Sequence, residues 1–230
     1  TSMGTSWSVR AMAGPDLPAT ALHARMQAEL DLVVAQMSHW EADSDLSRYN
    51  TAAAGTWHRL PAPFFHVLGY ALDVAEQSGG AYDPCAGALV NCWGFGARGR
   101  YDEPSFYAPA ASAIDAIVAR ADRQRLILDR AARTVLQPGA VQLDLSSVAK
   151  GYAVDRLALR LEADGVRHYL VEVGGELRGA GARHDGQPWW VQLEGVPGAS
   201  AGAGEAVLAL HGLAVATSGD YRRHFRHGGQ

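Results

Sequence analysis

The stretch that decides the fold is VQLDLSSVAKGYAVDRLALRLE, residues 141–162. Its first five residues alternate apolar and polar, as a strand does, and Val154, Leu157 and Leu161 then recur at helical spacing. The reading is a short strand carrying Asp144 near its end, then a helix from about Val148 to Glu162 with those three side chains inward. Ser146 and Ser147 are N-cap candidates, because a hydroxyl can accept from the orphan N–H groups of a helix start. Lys150 then falls in the first turn, where the backbone already carries partial positive charge, a misfit of about 0.3–1 kcal/mol. An anion would resolve it. A phosphate hydrogen-bonded by Lys150 gains about 1.5–3 kcal/mol, the helix start adds donors, and Gly151 leaves room for close approach. The competing reading is a solvated lysine whose stem covers apolar surface, with Asp144 only a strand-end cap.

Working outward, MGTSWSVRAM (3–12) alternates in strand fashion, and Leu22, Met26, Leu30, Val33, Val34 and Met37 mark a helix ending near His39 and Trp40. EADSDLSRYN (41–50) reads as a loop. Phe64, Val67, Leu68, Ala71, Leu72 and Ala75 mark a second amphipathic helix, stopped by Gly79 and Gly80. A third helix is expected over Pro109–Ala121, then short strands at RLILD, TVLQP and VQLDL. HYLVEV and WWVQLE are expected to pair across the Asp185–Gly186 turn, and EAVLALHG and LAVATSG add further strands. The fold class is α+β with mainly antiparallel sheets and packed helices, in one continuous domain spanning residues 1–230.

Of the 230 residues, 48% are hydrophobic and 19% charged, enough chain and apolar content for a sizeable core. The net charge of −4 argues against a nucleic-acid surface, which needs clustered Lys and Arg. No apolar run is long enough to cross a bilayer, and Met3 is internal, so the missing leader says little about location. Cys85 and Cys92 have neither redox nor zinc spacing; buried thiols are expected, with a bridge as the alternative.

Several motifs match in letters only. GFGARG (94–99) is a literal GxGxxG, but RYDEPSFYAP follows where a helix should open. GASAG (198–202) spells a nucleophile elbow around Ser200 inside a Gly/Ala-rich stretch. AKGYA lacks the flanking residues of a phosphate loop, and the histidines include no HExxH.

MGTSWSVR, Trp40 followed by DSDLSRYN, GGAYDPCAGALVNCWGFG, LDLSSVAKGYAVD, YLVEVGGELRGAG and ATSGDYRR stand in one order along the chain. In that order and rough spacing they resemble the motifs of the ApbE family, FAD:protein FMN transferases with a T-fold-like architecture, over essentially the whole chain. The resemblance implies that a Thr or Ser hydroxyl of a target flavoprotein attacks the riboflavin-side phosphorus of FAD. AMP leaves, and FMN stays attached through a phosphoester. It implies a magnesium requirement, which fits a displacement on a pyrophosphate. Residue by residue, it places Met3, Trp40, Ala81, Tyr82, Asp83, Asp144 and Lys150 against FAD, with Lys150 and Asp144 in the catalytic set and Ser147 holding the metal.

Trp40 has a plainer rival reading as a core or rim aromatic, and Asp83 as a turn former; the glycine pair 174–175 would weaken a strand unless a ligand or another backbone comes near, and Thr217, Ser218 and Gly219 either line the same cleft or turn the chain. An FAD pyrophosphatase releasing FMN and AMP, or a flavin-binding protein without catalysis, would use the same residues. The resemblance further implies a lipid-anchored protein on the periplasmic or cell-envelope side of the inner membrane, acting on membrane redox complexes. Family members continue into a His-x-Ile-Asp-Pro-x-Thr-Gly stretch and an Asp-rich helix start, whereas the chain stops at HFRHGGQ, where His224 and His227 do not replace that motif. The expectation is that these 230 residues omit a C-terminal segment.

Overall fold

A computed structural model describes residues 2–97, 99–120, 125–195, 206–219 and 224. The chain divides into two compact units, residues 1–31 with 150–230, and residues 32–149.

The first unit is built on an antiparallel four-stranded sheet ordered β1-β5-β6-β9, with β1 at Trp7–Ala11, β5 at Tyr169–Val173, β6 at Glu176–Ala180 and β9 at Leu213–Val215. Strand β5 lies inside the sheet, and Tyr169, Val171 and Val173, which share one of its faces, are all inaccessible to solvent, so that face is covered. The β5–β6 connection is a two-residue turn at Gly174 and Gly175, with φ of 59° and 88°. A primed turn needs positive φ at both positions, and a side chain at Gly174 would meet Thr5 Cγ2 at 2.8 Å. The glycine pair is thus explained by the hairpin. It also overturns the expected pairing of HYLVEV with WWVQLE: β5 turns back onto β6, while β7 (Trp189–Gln192) pairs with β8 (Val207–Leu210). Periodicity identifies strands but not partners, and here the tightest turn wins.

The second unit holds a three-stranded sheet ordered β2-β4-β3, with β2 at Thr56–Arg59, β3 at Leu128–Asp129 and β4 at Thr134–Gln137. VQLDL is not a strand. Its one sheet-like contact is an isolated bridge between Gln142 and Ala86, and its alternation reflects side-chain burial of Val141, Leu143 and Leu145. The segment is held by Asn50, whose Nδ2 donates to Leu143 O and whose Oδ1 accepts from Leu143 N–H, both at 2.8 Å.

Helix α1 (Ala19–Met37) is as expected, with Met26, Leu30, Val33 and Met37 buried. The supposed loop EADSDLSRYN contains a short helix, α2 (Asp45–Asn50), capped by Ser44 Oγ accepting from Ser47 N–H at 3.0 Å. Six residues are too few to show a helical period. Helix α3 (Ala62–Gln77) ends where Gly79 N–H reaches Glu76 O and Gly80 N–H reaches Ala75 O, the double bond of a Schellman stop. Helix α4 (Gly87–Cys92) was not foreseen, and α5 (Ala111–Val118) is shorter than the expected span, of which Ala121 lies outside the described residues. Helix α6 (Ser146–Ala163) starts earlier than expected, and Val154, Leu157 and Leu161 are inward as the spacing predicts. Cys85 is buried, Cys92 is half-buried, and no disulfide joins them.

Two consequences can be measured. Asn50→Ala leaves the Leu143 peptide groups without partners and should cost about 2–3 kcal/mol in a denaturant titration. Burial, then the hydrogen bond to Glu162, pushes the Tyr169 phenol up to about 12. The folded state therefore keeps a proton that the unfolded chain gives up near pH 10, so this contribution is intact below pH 10 and falls away between pH 10 and 12. A urea midpoint that drops over that range in the parent should drop less in Tyr169→Phe.

Candidate functional site

Helix α6 begins with a carboxylate cap. Asp144 Oδ1 accepts the Ser146 backbone N–H at 2.7 Å and the Ser146 hydroxyl, while the Asp144 N–H donates to Pro84 O at 2.8 Å. Ser146 and Ser147 therefore lie inside the helix instead of capping it, and Lys150 is its fifth residue, past the first turn. Two expectations change. The helix N–H groups are partly satisfied from within, with Val148 and Ala149 also bonded to Leu145 O, and the dipole misfit of Lys150 shrinks because it decays beyond the first turn.

Pro84 belongs to the turn carrying the family-implied triplet. Asp83 Oδ1 accepts from Cys85 N–H at 2.8 Å, an Asx-type turn, so the plainer reading of Asp83 holds beside the functional one. Tyr82 N–H is held by Ser78 Oγ at 3.2 Å, and Ala81 is exposed. Gly87 N–H donates to Gln142 O at 3.0 Å, which draws this turn against the segment leading to Asp144. Residues some sixty positions apart thus meet at one helix start, within the second unit.

The Tyr82 hydroxyl is buried and makes no well-formed hydrogen bond. Burial pushes its pKa above the ordinary value, a nearby Ser147 hydroxyl offsets part of this, and the Asp144 and Asp83 charges raise it further. It stays protonated at neutral pH: a buried donor without an acceptor, which native structures rarely leave unexplained. Ser147 itself is exposed. Among the described residues no three His, Cys, Asp or Glu side chains converge as a metal site. Ser147 can give magnesium one hard oxygen, but the described residues do not make up a magnesium site.

Trp40, also in the second unit, is 46% exposed. The Arg100 guanidinium lies over its ring at 6.0 Å from the centroid and pairs with Asp102 at 2.6 Å. Sequence reasoning missed Arg100, since nothing in the spacing of GFGARGR links it to Trp40. Gly94 of that motif follows α4, so the fingerprint reading fails as expected. GASAG and His227 lie outside the described residues.

The remaining residues lie in the first unit. Lys150 Nζ donates to Glu176 Oε1 at 2.8 Å, with the lysine side chain 33% and the glutamate 12% exposed. The anion inferred from Lys150 is, in this structure, a carboxylate of the same chain. Gly151 does make room, as its residue type implies: a Cβ there would stand 3.2 Å from Glu176 Oε2. Such a partly exposed pair contributes about 0–1 kcal/mol, too little to be a stability device. Glu176 follows the Gly174–Gly175 turn, and Gly174 donates to Ser6 O at 3.0 Å. Just ahead, Met3 and Gly4 form a second primed turn, with φ of 55° and 70° and paired Ser2–Thr5 bonds of 3.0 Å. A non-glycine residue in that region is strained by about 1–3 kcal/mol. The Met3–Gly4 turn therefore stands beside the Gly174–Gly175 turn, and Lys150 reaches Glu176, at the end of the latter, from α6. Thr217–Gly219 are exposed and irregular.

Comparison with known proteins identifies the family. Residues 3–230 match the model of the ApbE family. The chain is 36% identical over 227 residues to an FAD:protein FMN transferase of Klebsiella pneumoniae, covering 97% of this chain and 63% of that protein. It is 34% identical to the transferase of the same name from Haemophilus influenzae, covering 100% and 67% respectively. Among solved structures, the apo flavinyl transferase ApbE of Pseudomonas stutzeri superposes with a TM-score of 0.86 at 35% identity, over 100% of this chain and 70% of that one. The flavin transferase ApbE of Vibrio cholerae gives 0.86 at 29% identity, over 99% and 72%. The chain thus spans roughly two thirds of the length of these relatives. On the match to the family model and these identities, the chain belongs to the ApbE family.

Proposed function

We propose that this protein is an FAD:protein FMN transferase. The observation that carries the reading is the start of α6, where Asp83, Asp144 and Ser147 gather around the buried, protonated Tyr82 phenol, which makes no well-formed hydrogen bond, with Lys150 one turn further along the same helix. The relatives that share this chain's sequence carry that activity in their names.

In the proposed reaction a Ser or Thr hydroxyl of a target flavoprotein forms a bond to the riboflavin-side phosphorus of FAD. The P–O bond to the AMP phosphate breaks, the hydroxyl proton passes to solvent, and AMP departs. Lys150 offsets diphosphate charge at close range, where a charge-assisted hydrogen bond is worth about 1.5–3 kcal/mol. Tyr82, held protonated, donates to an oxygen acceptor of the ligand. Trp40 presents a half-exposed indole face suited to a flat ring, and Met3 and Ala81 add contact surface. Asp144 engages Ser146 through one carboxylate oxygen and so fixes the helix that carries Ser147 and Lys150, while its second oxygen stays available to the ligand in the proposed catalytic set. Magnesium, when bound, would neutralise charge on the pyrophosphate. Its use is part of the proposal, Ser147 is the one donor assigned to it, and no step is derived through it.

A cell-envelope location and a membrane-associated flavoprotein acceptor belong to the same proposal, supported by family membership. Cell fractionation and flavin-fluorescent gels of membrane proteins test them.

Incubating the purified protein with FAD, magnesium and a candidate flavoprotein should add one FMN mass to the acceptor with stoichiometric AMP. Free FMN with an unmodified acceptor would mark a pyrophosphatase, and no AMP at high protein concentration would mark a binding protein. EDTA should abolish transfer. Lys150→Ala should weaken FAD binding about 10- to 100-fold by calorimetry, with the fold intact.

A further inference from the structure

We propose that Glu176 is a positioning residue for the nucleotide diphosphate, acting through Lys150. The proposal rests on the reading that Lys150 binds that diphosphate. A lysine ammonium has three N–H donors on a flexible four-carbon stem, and its rotamer freedom is lost when it grips a phosphate. Glu176 occupies one donor at 2.8 Å and leaves the amine partly open, so the side chain is already ordered with donors to spare. The arrangement is built, not incidental. Glu176 is only 12% exposed, it leaves the β5–β6 turn at a fixed register opposite Val173, and its second oxygen fills the space that the missing Cβ of Gly151 leaves beside the helix. An alanine at 151 would crowd that oxygen at 3.2 Å, so the pair and the glycine form one unit. A phosphate approaching from the open side meets an aimed ammonium, with the cation standing between the two anions and screening their repulsion.

The nearest charged neighbours on the packed elements leave Glu176 to this task. Arg178, two residues on, is engaged by Asp155 at 2.7 Å and by Glu162 at 3.5 Å, and Arg156 by Glu29 at 2.7 Å.

The test is a double-mutant cycle on purified protein, reading FAD and riboflavin affinity by calorimetry alongside the thermal midpoint. E176A should weaken FAD binding about fivefold, the loss expected when roughly half of a lysine's rotamer entropy must be recovered on binding. E176Q, which keeps an oxygen acceptor for the amine, should lose clearly less. In a K150A background, E176A should change FAD affinity no further, and riboflavin, which carries no phosphate, should bind alike throughout. An equal E176A loss in both backgrounds, or no loss in either, overturns the proposal. If E176A does not fold, E176Q is compared in the same two backgrounds, and an equal effect in both overturns it. K150A binding FAD like the parent would remove the reading of Lys150, and the proposal with it, which separates the two failures.

Discussion

The carboxylate of Asp144 is the constraint on which the candidate site turns. One oxygen holds both the backbone and the side chain of Ser146, and the peptide N–H of the same residue is tied to Pro84. A cap of this kind contributes about 0.5–2 kcal/mol, modest beside the burial of Val154, Leu157 and Leu161 at about 1.5–3 kcal/mol each. Its importance is positional. The apolar stripe decides that α6 exists, while the cap decides where the helix starts, and so which turn carries Ser147 and Lys150.

Charge in this region is arranged so that little is left uncompensated. Lys150 is met by Glu176, Asp144 by Ser146, Asp83 by the Cys85 N–H, and Arg100 by Asp102 and the Trp40 ring. Against that background the Tyr82 hydroxyl is the exception, buried, neutral and without an acceptor.

Much of the fold was legible because long amphipathic helices announce themselves: α1, α3 and α6 follow from apolar spacing, and the Gly79–Gly80 stop from residue type. Short elements were not. Helix α2 has too few residues to show a period, and VQLDL alternates because its apolar side chains are buried although its backbone bonds to Asn50 and the turn before α4. Strand pairing also escaped, since alternation says nothing about partners and the glycine pair 174–175 reads in sequence as a weak point in a strand and not as a hairpin turn. Within the site, residue types pointed to Asp144 and Lys150, and the resemblance added Met3, Trp40, Ala81, Tyr82, Asp83 and Ser147. Asn50, Arg100 and Glu176 carried no local signal.

By itself the sequence determined the α+β class, the core-facing stripe of each long helix, and a lysine near a helix start that needed a negative partner. These are properties of spacing and residue chemistry, which act over a few positions. Only the tertiary structure decided that the partner is Glu176, that Asp144 caps the helix, and that Tyr82 is left without an acceptor. The Glu176 contact depends on a side chain brought from a distant segment by a turn, and the Asp144 cap, though local, is set where the Asp144 N–H is tied to Pro84.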